Sequence, residues 1–562
     1  MSLIGQLQKL QEEHGQIRQA DLQALSRRLR VPLYRLQGLV SFYPFFRSHR
    51  AAPVEVRLCR DLSCHLAGAP EVAAGVRRCL AGEMAAGQVE ICPASCLGRC
   101  DAAPAAAFNG LPLPGAGPPD PAQRALEIAR LARQRPSPAD GREAAGAQTA
   151  GGWKIDPYSS PEDHYAGLRS LLAHGKPVME QGESLADEWA DKILGILKDA
   201  GLRGMGGAGF PTATKWGLVR RQLQEGKTVI VNADESEPGT FKDRVILSEL
   251  PYLVLEGALV AALVAGAGKV IVYIRHEYQQ ERFILEEEIR RLKAMKLLDL
   301  PVELFVSPGG YILGEETALL QALEDQRGEP RNKPPYPVQS GLNGKPTVIN
   351  NVETLAMVPV LLRRGATWFK NQGRAGFTGL KFMALSGHVE RPGVYEVPGG
   401  TPIGDLIAMG GGVSGGRNLG AIAPGGASSP FLPATAVKTP LDFKALQEAG
   451  SMLGSGAVVV VAEGTDLLDL ALNVVTFFRN ESCGKCVPCR MGTQKAVGIL
   501  EDLKAGRSSR AAVDLLAPLG ETLLQTSICG LGQVALNPIL SVMRHFPAVI
   551  KAALEGRTDG PS

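Results

Sequence analysis

Apolar and polar positions divide the chain into a small N-terminal unit and a larger C-terminal one. In the first 50 residues leucine and isoleucine recur at helical spacing, which predicts a short helical bundle over residues 1–50. The segment Val54 to Leu58 then alternates like a strand, and Glu71 to Leu80 has the spacing of a helix. Residues 51–135 are therefore expected to form a mixed α/β domain.

A stretch rich in proline, alanine and glycine, from Gln134 to Gly152, follows this domain. Such a composition is typical of a flexible connection. We therefore predict a linker over residues 136–159 between the two units.

The larger unit begins with a helical pattern from Ala186 to Ala200. Strands are predicted at Thr228–Asn232, Val270–Ile274 and Val302–Val306, with helices between them. This alternation predicts a parallel sheet covered by helices. Short apolar pieces among glycines and prolines, from residue 381 to about 440, suggest a small mostly-β module. Helical patterns return over residues 467–479, 493–503, 511–524 and 534–546.

Bulk composition changes this picture little. The 562 residues leave room for three or more domains, and a net charge of +3 without a basic run gives no reason to expect nucleic acid as a partner. The polar N-terminus has no signal-peptide core. The longest apolar stretch, from Tyr252 to Gly268, contains Glu256 and is predicted to be a buried helix. A cytoplasmic protein without direct membrane insertion is expected.

Ten cysteines fall into two groups, six between Cys59 and Cys100 and four between Cys483 and Cys529. Clustered thiols in so long a chain favour metal ligation over a disulfide framework. In the second group, three thiols at two-residue gaps plus a distant one form the ligand set of a four-iron cluster. The predicted ligands are Cys483, Cys486, Cys489 and Cys529, and a zinc site is the alternative.

The first group contains two thiol pairs, each following a predicted strand. Two pairs suit a two-iron cluster, with one pair on each iron. Cys92 lies four residues before Cys96 and could replace a ligand, whereas Cys79 is expected to be a small buried apolar residue. His65 keeps a zinc or Rieske-type site open. The predicted ligands are Cys59, Cys64, Cys96 and Cys100.

A glycine-rich loop contains G-x-G-x-x-G at Gly204, Gly206 and Gly209. Glycines let the backbone approach a phosphate, and Pro211 fits the first turn of a following helix that would carry Lys215. An ordinary dinucleotide site requires a strand before the loop, but a helix is predicted there. The loop therefore indicates a phosphate site of another kind, with a plain turn as the alternative.

Polar residues follow the predicted strands at the edge where parallel sheets bind ligands. Each group alone could be ordinary turn chemistry. Together, and upstream of a cluster site, they indicate a pocket for a redox nucleotide or flavin. The groups are Asn232, Asp234, Glu235 and Glu237; Gly314, Glu315 and Glu316; Lys333 and Tyr336; and Asn350 with Asn351.

The large unit resembles the flavin-carrying, NADH-oxidising subunit of respiratory complex I and its relatives. The similar segments include GLRGMGGAGFPT (201–212), NADESEPGTFKDR (232–244), GEETALL (314–320), RGEPRNKPPYP (327–337), GKPTVINNVET (344–354), ESCGKCVPCRMGT (481–493) and SICGLGQ (527–533). SGHVERPGVYEVPGGTP (386–402) is similar to that family's β-grasp insert. CLGRCDAAPA (96–105) is similar to its two-iron partner subunit, which favours Cys96 and Cys100 as ligands over Cys92.

The resemblance implies an α/β multidomain fold. Its expected parts are a helical bundle (1–50), a thioredoxin-like [2Fe-2S] domain (51–135), the linker (136–159), an FMN- and NADH-binding α/β domain (160–375), a β-grasp domain (376–445) and a helical [4Fe-4S] domain (446–562).

The resemblance also implies a site residue by residue. Three positions depart from the pattern: Met205 stands where the family commonly has Arg, Leu313 where it has Cys, and Leu218 where an aromatic residue is frequent. The residues implied for FMN are Gly204, Gly206, Gly207, Gly209, Lys215, Asn232, Asp234, Glu235, Gly314, Glu315, Asn350 and Asn351. Those implied for NADH are Phe210, Glu237, Glu316, Lys333 and Tyr336.

The family's chemistry implies hydride transfer from NADH to FMN, then single-electron transfer through the clusters to a partner protein. Glu235, the candidate catalytic residue, would lower the flavin potential. Fusion of both subunit types resembles the β subunit of soluble NAD-dependent formate dehydrogenases and the diaphorase subunit of NAD-linked hydrogenases. The N-terminal thiols are often missing from the hydrogenase subunit and are present here, which favours the formate dehydrogenase, whose partner carries molybdenum or tungsten. A complex I input subunit and another NAD-linked metalloenzyme remain alternatives, as does a noncatalytic iron–sulfur relay or redox sensor.

Overall fold

The computed structural model of the chain describes residues 2–113, 120–134, 152–175 and 185–556. Residues 136–151 of the predicted linker lie outside the described residues. The N-terminal bundle packs on the large unit through two hydrogen bonds. Tyr43 Oη donates to the Gln326 carbonyl (2.5 Å), and Ile4 N donates to Asp325 Oδ1 (2.9 Å). Its helices are α1 (Leu3–His14), α2 (Gln19–Leu29) and α3 (Leu33–Phe42).

A four-stranded sheet forms the next domain, in the order β2-β1-β3-β4. β1 is parallel to β2 and antiparallel to β3, so the strand predicted at Val54 is central. Cys79 ends a helix and is half-buried rather than lying in a helix interior. The elements are β1 (Val54–Cys59), α4 (Ser63–Leu66), α5 (Ala69–Cys79), α6 (Ala81–Ala85), β2 (Val89–Ala94), β3 (Ala106–Phe108), β4 (Leu111–Pro112) and α7 (Pro121–Gln134).

The central α/β domain has a parallel sheet in the order β7-β6-β5-β8. The three predicted strands are confirmed, and a fourth, β8, was missed by the sequence analysis. The elements are α8 (Ala166–Gly175), α9 (Asp187–Asp199), α10 (Thr212–Arg220), β5 (Thr228–Ala233), α11 (Lys242–Glu249), α12 (Pro251–Ala265), β6 (Val270–Arg275), α13 (Gln279–Met295), β7 (Val302–Ser307), α14 (Glu316–Leu323), α15 (Pro337–Ser340), β8 (Thr347–Asn351) and α16 (Val352–Lys370).

Helix α12 is buried along its whole length, Glu256 included, as its mostly apolar sequence predicts. Over the described ranges no single helix has the length and apolar character needed to cross a bilayer. The bent pair α11 and α12 passes that test only when both helices are taken together.

The β-grasp module has a five-stranded sheet in the order β10-β9-β13-β11-β12. β13 pairs in parallel with β9 and lies beyond residue 445, where the sequence analysis ended this domain. β13 is a buried run of valines and alanines, and such a run can be assigned to a sheet only when the strand that it pairs with is known. The elements are β9 (Leu380–Gly387), β10 (Gly393–Pro398), α17 (Ile403–Met409), β11 (Leu419–Ala423), β12 (Leu432–Pro433), α18 (Phe443–Glu448) and β13 (Ala457–Ala462).

Helices complete the described chain and confirm the helical prediction for this region. One group of buried apolar residues extends from Ile4 in α1 to Ile550, so the two ends of the described chain share a core. The helices are α19 (Leu467–Glu481), α20 (Val487–Lys504), α21 (Arg510–Asp514), α22 (Leu516–Thr526), α23 (Gly530–Val534), α24 (Asn537–His545) and α25 (Pro547–Leu554).

Candidate functional site

The carboxyl ends of β5 and β8 bring the predicted amides together. In the parallel register Asn232 is opposite Asn351, and Val231 is opposite Asn350. Asn232 Nδ2 donates to the Gly314 carbonyl (2.9 Å), and Asn350 Oδ1 accepts from Trp216 Nε1 (2.8 Å). The strand ends, the segment at Gly314 and helix α10 therefore form one polar edge of the sheet.

The glycine loop closes against this edge. Gly204 N donates to the Phe210 carbonyl (2.9 Å), which makes the loop a tight turn preceded by helix α9 and followed by α10. A Cβ added at Gly206 would lie 3.1 Å from Asn351 Cβ, and Gly209, at φ +63°, would place one 3.1 Å from the Phe443 ring. Glycine is thus required by close approach as well as by backbone conformation.

Lys215 lies in the first turn of α10, as predicted, and is partly buried. Its Nζ donates to the Ile349 carbonyl in β8 (2.9 Å), and burial lowers its pKa. The charge of Glu316 acts in the opposite direction, whereas that of Lys333 acts in the same one. This cation lies at the polar edge of the sheet, where it can form a charge-assisted hydrogen bond to an anionic group of a ligand.

Asp234 gives a direct test of whether a polar ligand fits. Its Oδ1 accepts from Ser236 Oγ (2.5 Å), while its buried Oδ2 has no hydrogen-bond partner among the described residues. The buried hydroxyl of Thr212, at the start of α10, also lacks one. Buried polar atoms are rarely left unpaired, so these groups fit a bound molecule that carries hydroxyl and phosphate groups, as FMN does.

The carboxylate of Glu235, the predicted catalytic residue, accepts three hydrogen bonds that the sequence analysis did not predict. Its carboxylate accepts from the backbone N–H groups of Asp243 (2.9 Å) and Arg244 (3.1 Å) at the start of α11, and from Tyr278 Oη (2.9 Å). Burial raises its pKa to about 7, and the charge of Asp243 adds to this shift. Three donors therefore fix its position, which the sequence did not show.

Glu237 has a partner that the sequence analysis missed. Tyr311 Oη donates to its Oε2 (2.5 Å), and Ser428 N, from the β-grasp module, donates to its Oε1 (2.7 Å). Tyr311 lies in the Gly310-Tyr311 turn after β7, and only its position one turn before Gly314-Glu315 could have suggested it. Two modules therefore hold one buried carboxylate.

Glu315, Glu316 and Lys333 form an ion group. Lys333 Nζ is 2.9 Å from a carboxylate oxygen of each glutamate. The other oxygen of Glu315 accepts from Thr317 N and Ala318 N, capping α14. Phe210 and Tyr336 are 43% and 51% exposed, so both rings of the predicted NADH set are available for stacking.

The first thiol group lies at the junction of the thioredoxin-like and central domains. Cys96 Sγ is 3.6 Å from Cys100 Sγ. Cys59 and Cys100 both lie close enough to Cys64 to raise the pKa of its thiol, as burial also does. Backbone N–H groups of Gly98 and Ala105 point at Cys96 and Cys64 sulfurs (both 3.4 Å). Four buried thiols with N–H donors suit a two-iron cluster.

Cys92 does not join this group. It lies in β2, opposite Arg57, and is only half-buried. Burial raises its pKa to about 11, with the charge of Glu90 adding to the shift. Its position within the strand leaves Cys96 and Cys100 as the pair that faces Cys59 and Cys64.

The second thiol group forms where α19, α20 and α23 meet. The charges of Cys483 and Cys486 act on Cys489, and that of Cys483 acts on Cys529, so the four thiols share one neighbourhood. Ser482 Oγ is 3.3 Å from Cys489 Sγ. Burial raises the pKa of Cys489 to about 11 and that of Cys529 to about 12.

Within the described ranges, no three or more His, Cys, Asp and Glu side chains converge on one point to hold a single metal ion. The thiolates of an iron–sulfur cluster bind separate irons and need not converge in that way. A cleft of about 420 Å³ lies away from the polar sheet edge and is lined by residues that include His65, His388, Arg417 and Asp469.

Glu481 connects the first thiol group, Tyr311 and the second thiol group. One of its carboxylate oxygens accepts from Ser95 Oγ, beside Cys96, and the other accepts from Tyr311 N (2.8 Å). Glu481 itself ends α19, two residues before Cys483. The loop of Cys96 and Cys100, the Tyr311–Glu237 pair and the loop of Cys483, Cys486 and Cys489 therefore meet through one side chain.

Comparison with protein families agrees with this geometry. Family models match for a thioredoxin-like [2Fe-2S] ferredoxin over residues 1–115, a Nuo51 FMN-binding domain over 197–360, an SLBB domain over 383–431 and the iron–sulfur binding region of NADH-ubiquinone oxidoreductase-F over 469–553. The SLBB match falls within the predicted β-grasp module.

Individual proteins are similar as well. The second NADH-quinone oxidoreductase F subunit of Rhizobium meliloti (strain 1021) is 40% identical over 407 residues, 71% of this chain and 96% of that protein. The corresponding F subunit of Rhodobacter capsulatus is 39% identical over 411 residues, 71% of this chain and 92% of that protein. The crystal structure of an air-oxidized NAD+-reducing [NiFe]-hydrogenase superposes with a TM-score of 0.85 at 32% identity, covering 98% of this chain and 93% of that one.

Fold, thiol groups and family matches together define an NADH oxidoreductase that uses FMN, a [2Fe-2S] cluster and a [4Fe-4S] cluster. The chain belongs to the family of the NADH-quinone oxidoreductase F subunits, the NADH-oxidising flavin subunits of the complex I and NAD-reducing hydrogenase type.

Proposed function

We propose that this chain is the NADH-oxidising (diaphorase) subunit of a multi-subunit NAD-linked metalloenzyme, and that the polar sheet edge is its reaction centre. The observation that carries the proposal is the chain of contacts Ser95–Glu481–Tyr311–Glu237. It brings both thiol groups and the polar edge to one junction, an arrangement needed for electron transfer between them.

The residues that would hold FMN are the four loop glycines, Lys215, Asn232, Asp234, Gly314, Glu315, Asn350 and Asn351. When bound, the flavin would supply hydride acceptance and one-electron release. The glycine loop gives close backbone approach, and Lys215 supplies a partly buried positive charge. The two strand-end amides supply donors and acceptors for ring edges.

Of the residues that would hold the dinucleotide, Phe210 and Tyr336 are exposed at this edge, whereas Glu237 is buried behind it. Phe210 and Tyr336 offer exposed rings for stacking, and Glu237 offers a fixed carboxylate to a ribose hydroxyl. Lys333, balanced by Glu315 and Glu316, would meet a phosphate. These side chains position the donor against the acceptor, and no side chain acts as a nucleophile.

Electrons would leave through Cys483, Cys486, Cys489 and Cys529. Beside these thiols, Val487 and Met491 are 58% and 57% exposed at the start of α20. Exposed apolar residues next to a redox centre suit a partner protein that docks close to it. We propose this surface as the contact with a partner subunit.

The identity of that partner rests on different support. The sequence favours a formate dehydrogenase because the N-terminal thiols, often missing from the corresponding hydrogenase subunit, are present here, and this choice remains a prediction. The second candidate, a hydrogenase, is supported by the superposition on the NAD+-reducing [NiFe]-hydrogenase, which includes the N-terminal modules. A complex I input subunit is supported by relatives that match about 71% of this chain.

Anaerobic purification of the native complex tests these alternatives. We expect a yellow-brown complex that bleaches with NADH and reduces ferricyanide. Molybdenum or tungsten in the complex would support formate dehydrogenase, and nickel would support a hydrogenase. Flavin and iron without NADH oxidation would overturn the proposed reaction centre.

A further inference from the structure

A second cavity lies between the glycine loop and the β-grasp module. Its volume is about 150 Å³, and its walls come from Gly201 to Arg203, Met205, the segment joining α16 to β9, and the start of α18. The glycines that we assign to FMN do not line it. It is therefore a separate compartment that shares one wall, Met205, with the loop.

Lys381 is the unusual residue of this cavity. It lies in β9, lines the cavity and is only 8% exposed. Within the described part of the chain its Nζ has one hydrogen-bond partner, the thioether of Met205 at 3.7 Å, and no carboxylate within 4 Å. A buried ammonium without a paired anion is costly, and burial lowers its pKa accordingly.

The surroundings add positive charge. The Arg203 guanidinium and the Lys381 ammonium both approach the ring of Phe443, at 6.0 and 4.8 Å from its centroid. Lys444 also lines the cavity. The one acidic lining residue, Asp442, accepts from Lys444 N (2.9 Å) and Ala445 N (3.4 Å) as the cap of α18. Lys444 is largely exposed and its ammonium lies 3.6 Å from Glu448, so it belongs to the outer rim of the cavity. Glu353 and Asp442 are the carboxylates whose charges act on Lys381, and neither lies within 4 Å of its Nζ.

The volume limits the class of ligand. A water molecule takes up roughly 30 Å³ in the liquid, and pockets for whole cofactors or drug-sized ligands measure roughly 300–1,000 Å³. A space of about 150 Å³ holds a small group and excludes a nucleotide. Two cations near one ring, Lys381 and Arg203, suit a small group with several acceptor oxygens.

We propose that this cavity is a binding site for a phosphate-type oxyanion, with Lys381 as its buried cation and Arg203 and Lys444 as its outer ones. The phosphate can come from solution as the inorganic ion, or from the phosphate end of a flavin that reaches past Met205. In the second case the inference rests on the proposed function.

Isothermal titration calorimetry measures the binding of inorganic phosphate to the full chain in a phosphate-free buffer, and this measurement tests the site. Lys381→Met should weaken phosphate binding at least tenfold, whereas Lys381→Arg should retain it. Lys495→Met, which removes an exposed lysine from α20, is the matched control and should bind phosphate like the wild type. Absence of phosphate binding by the wild type both with and without bound flavin, or equal binding by Lys381→Met, would overturn the proposal.

Titration of flavin-depleted protein with FMN and riboflavin separates the two sources. Weaker binding of FMN but unchanged binding of riboflavin in Lys381→Met would identify the flavin phosphate. Unchanged FMN binding, with inorganic phosphate binding lost, would identify the free ion. A wild type that binds neither flavin would contradict the flavin roles proposed above and leave the phosphate titration as an independent result.

Discussion

The hydroxyl of Tyr311 donates a 2.5 Å hydrogen bond to Glu237, a buried carboxylate whose other oxygen accepts from the backbone of Ser428. Burial raises the pKa of Glu237, and both hydrogen bonds oppose that shift. The backbone N–H of the same tyrosine donates a hydrogen bond to Glu481, which lies two residues before Cys483. Tyr311 therefore fixes a predicted NADH residue and joins it to the electron exit.

Tyr311→Phe should raise KM for NADH roughly tenfold and change kcat less, because loss of one hydrogen bond to a charged group costs on the order of 1.5 kcal/mol. Steady-state assays with ferricyanide measure both constants. Tyr252→Phe is the matched control, since Tyr252 makes the same kind of bond to Asp156, away from the site. An unchanged KM would show that Glu237 does not hold the dinucleotide.

Glu235→Gln should raise the midpoint potential of the flavin at pH 8. Burial raises the pKa of Glu235 to about 7, so the wild-type side chain is mostly charged at pH 8 and mostly neutral at pH 6. A nearby negative charge disfavours the reduced flavin, and 1.4 kcal/mol of interaction corresponds to about 30 mV for two electrons. We expect a shift of that order at pH 8 and a smaller one at pH 6.

Potentiometric titration of the flavin absorbance at the two pH values measures this shift. Glu288→Gln is a matched control, because Glu288 is a buried glutamate that also accepts from a tyrosine hydroxyl, Tyr165 (2.8 Å). Equal potentials in the wild type and Glu235→Gln at pH 8 would restrict Glu235 to its structural contacts with α11 and Tyr278.

The choice of thiol ligands gives a third prediction. Cys96→Ser should remove the two-iron signal from the electron paramagnetic resonance spectrum and about two iron atoms per chain, because Cys96 faces Cys100 at 3.6 Å. Cys92→Ser should leave both quantities unchanged, since Cys92 lies within β2. Loss of the two-iron signal in Cys92→Ser would reverse the assignment.

Local pattern and contact distance explain which features were visible in the sequence. The apolar runs of β5, β6 and β7 alternate with helices, so their parallel order followed from chain direction. β8 was missed because its five residues end in two asparagines, and β13 because its partner β9 lies far earlier in the chain. A local sequence pattern does not show which distant strand a segment pairs with.

The candidate site shows the same division. Cysteine spacing and glycine spacing are local signals, and they indicated both thiol groups and the loop. Tyr311 is 74 positions from Glu237, and Ser428 is 191 positions from it, so neither partner could be inferred. The role of Glu315 as the cap of α14 was equally hidden, because a carboxylate that caps a helix and one that binds a ligand look alike in sequence.

Glu256, at the centre of the buried helix α12, predicts a pH effect on stability. Its carboxylate accepts from Tyr158 Oη (2.7 and 2.9 Å), at the end of the predicted linker, and from Leu168 N (2.7 Å), in α8, which fastens both to the central domain. Burial nevertheless raises its pKa to about 7, although these donors and the charges of Arg169 and Arg363 oppose the shift.

The sign of the effect follows from proton binding. Between pH 4.5 and about 7 the folded chain keeps a proton on Glu256 that the unfolded chain has released, so this group makes stability fall as pH rises through that window. At about 1.4 kcal/mol per pH unit, the loss can reach roughly 3 kcal/mol at pH 8. Thermal midpoints of the wild type should therefore decrease from pH 5 to pH 8 more steeply than those of Glu256→Gln. Glu303→Gln, a change at an exposed glutamate of β7, is the control and should follow the wild-type slope. Parallel curves for the wild type and Glu256→Gln would show that Glu256 does not titrate in this window, and that its hydrogen bonds outweigh its burial.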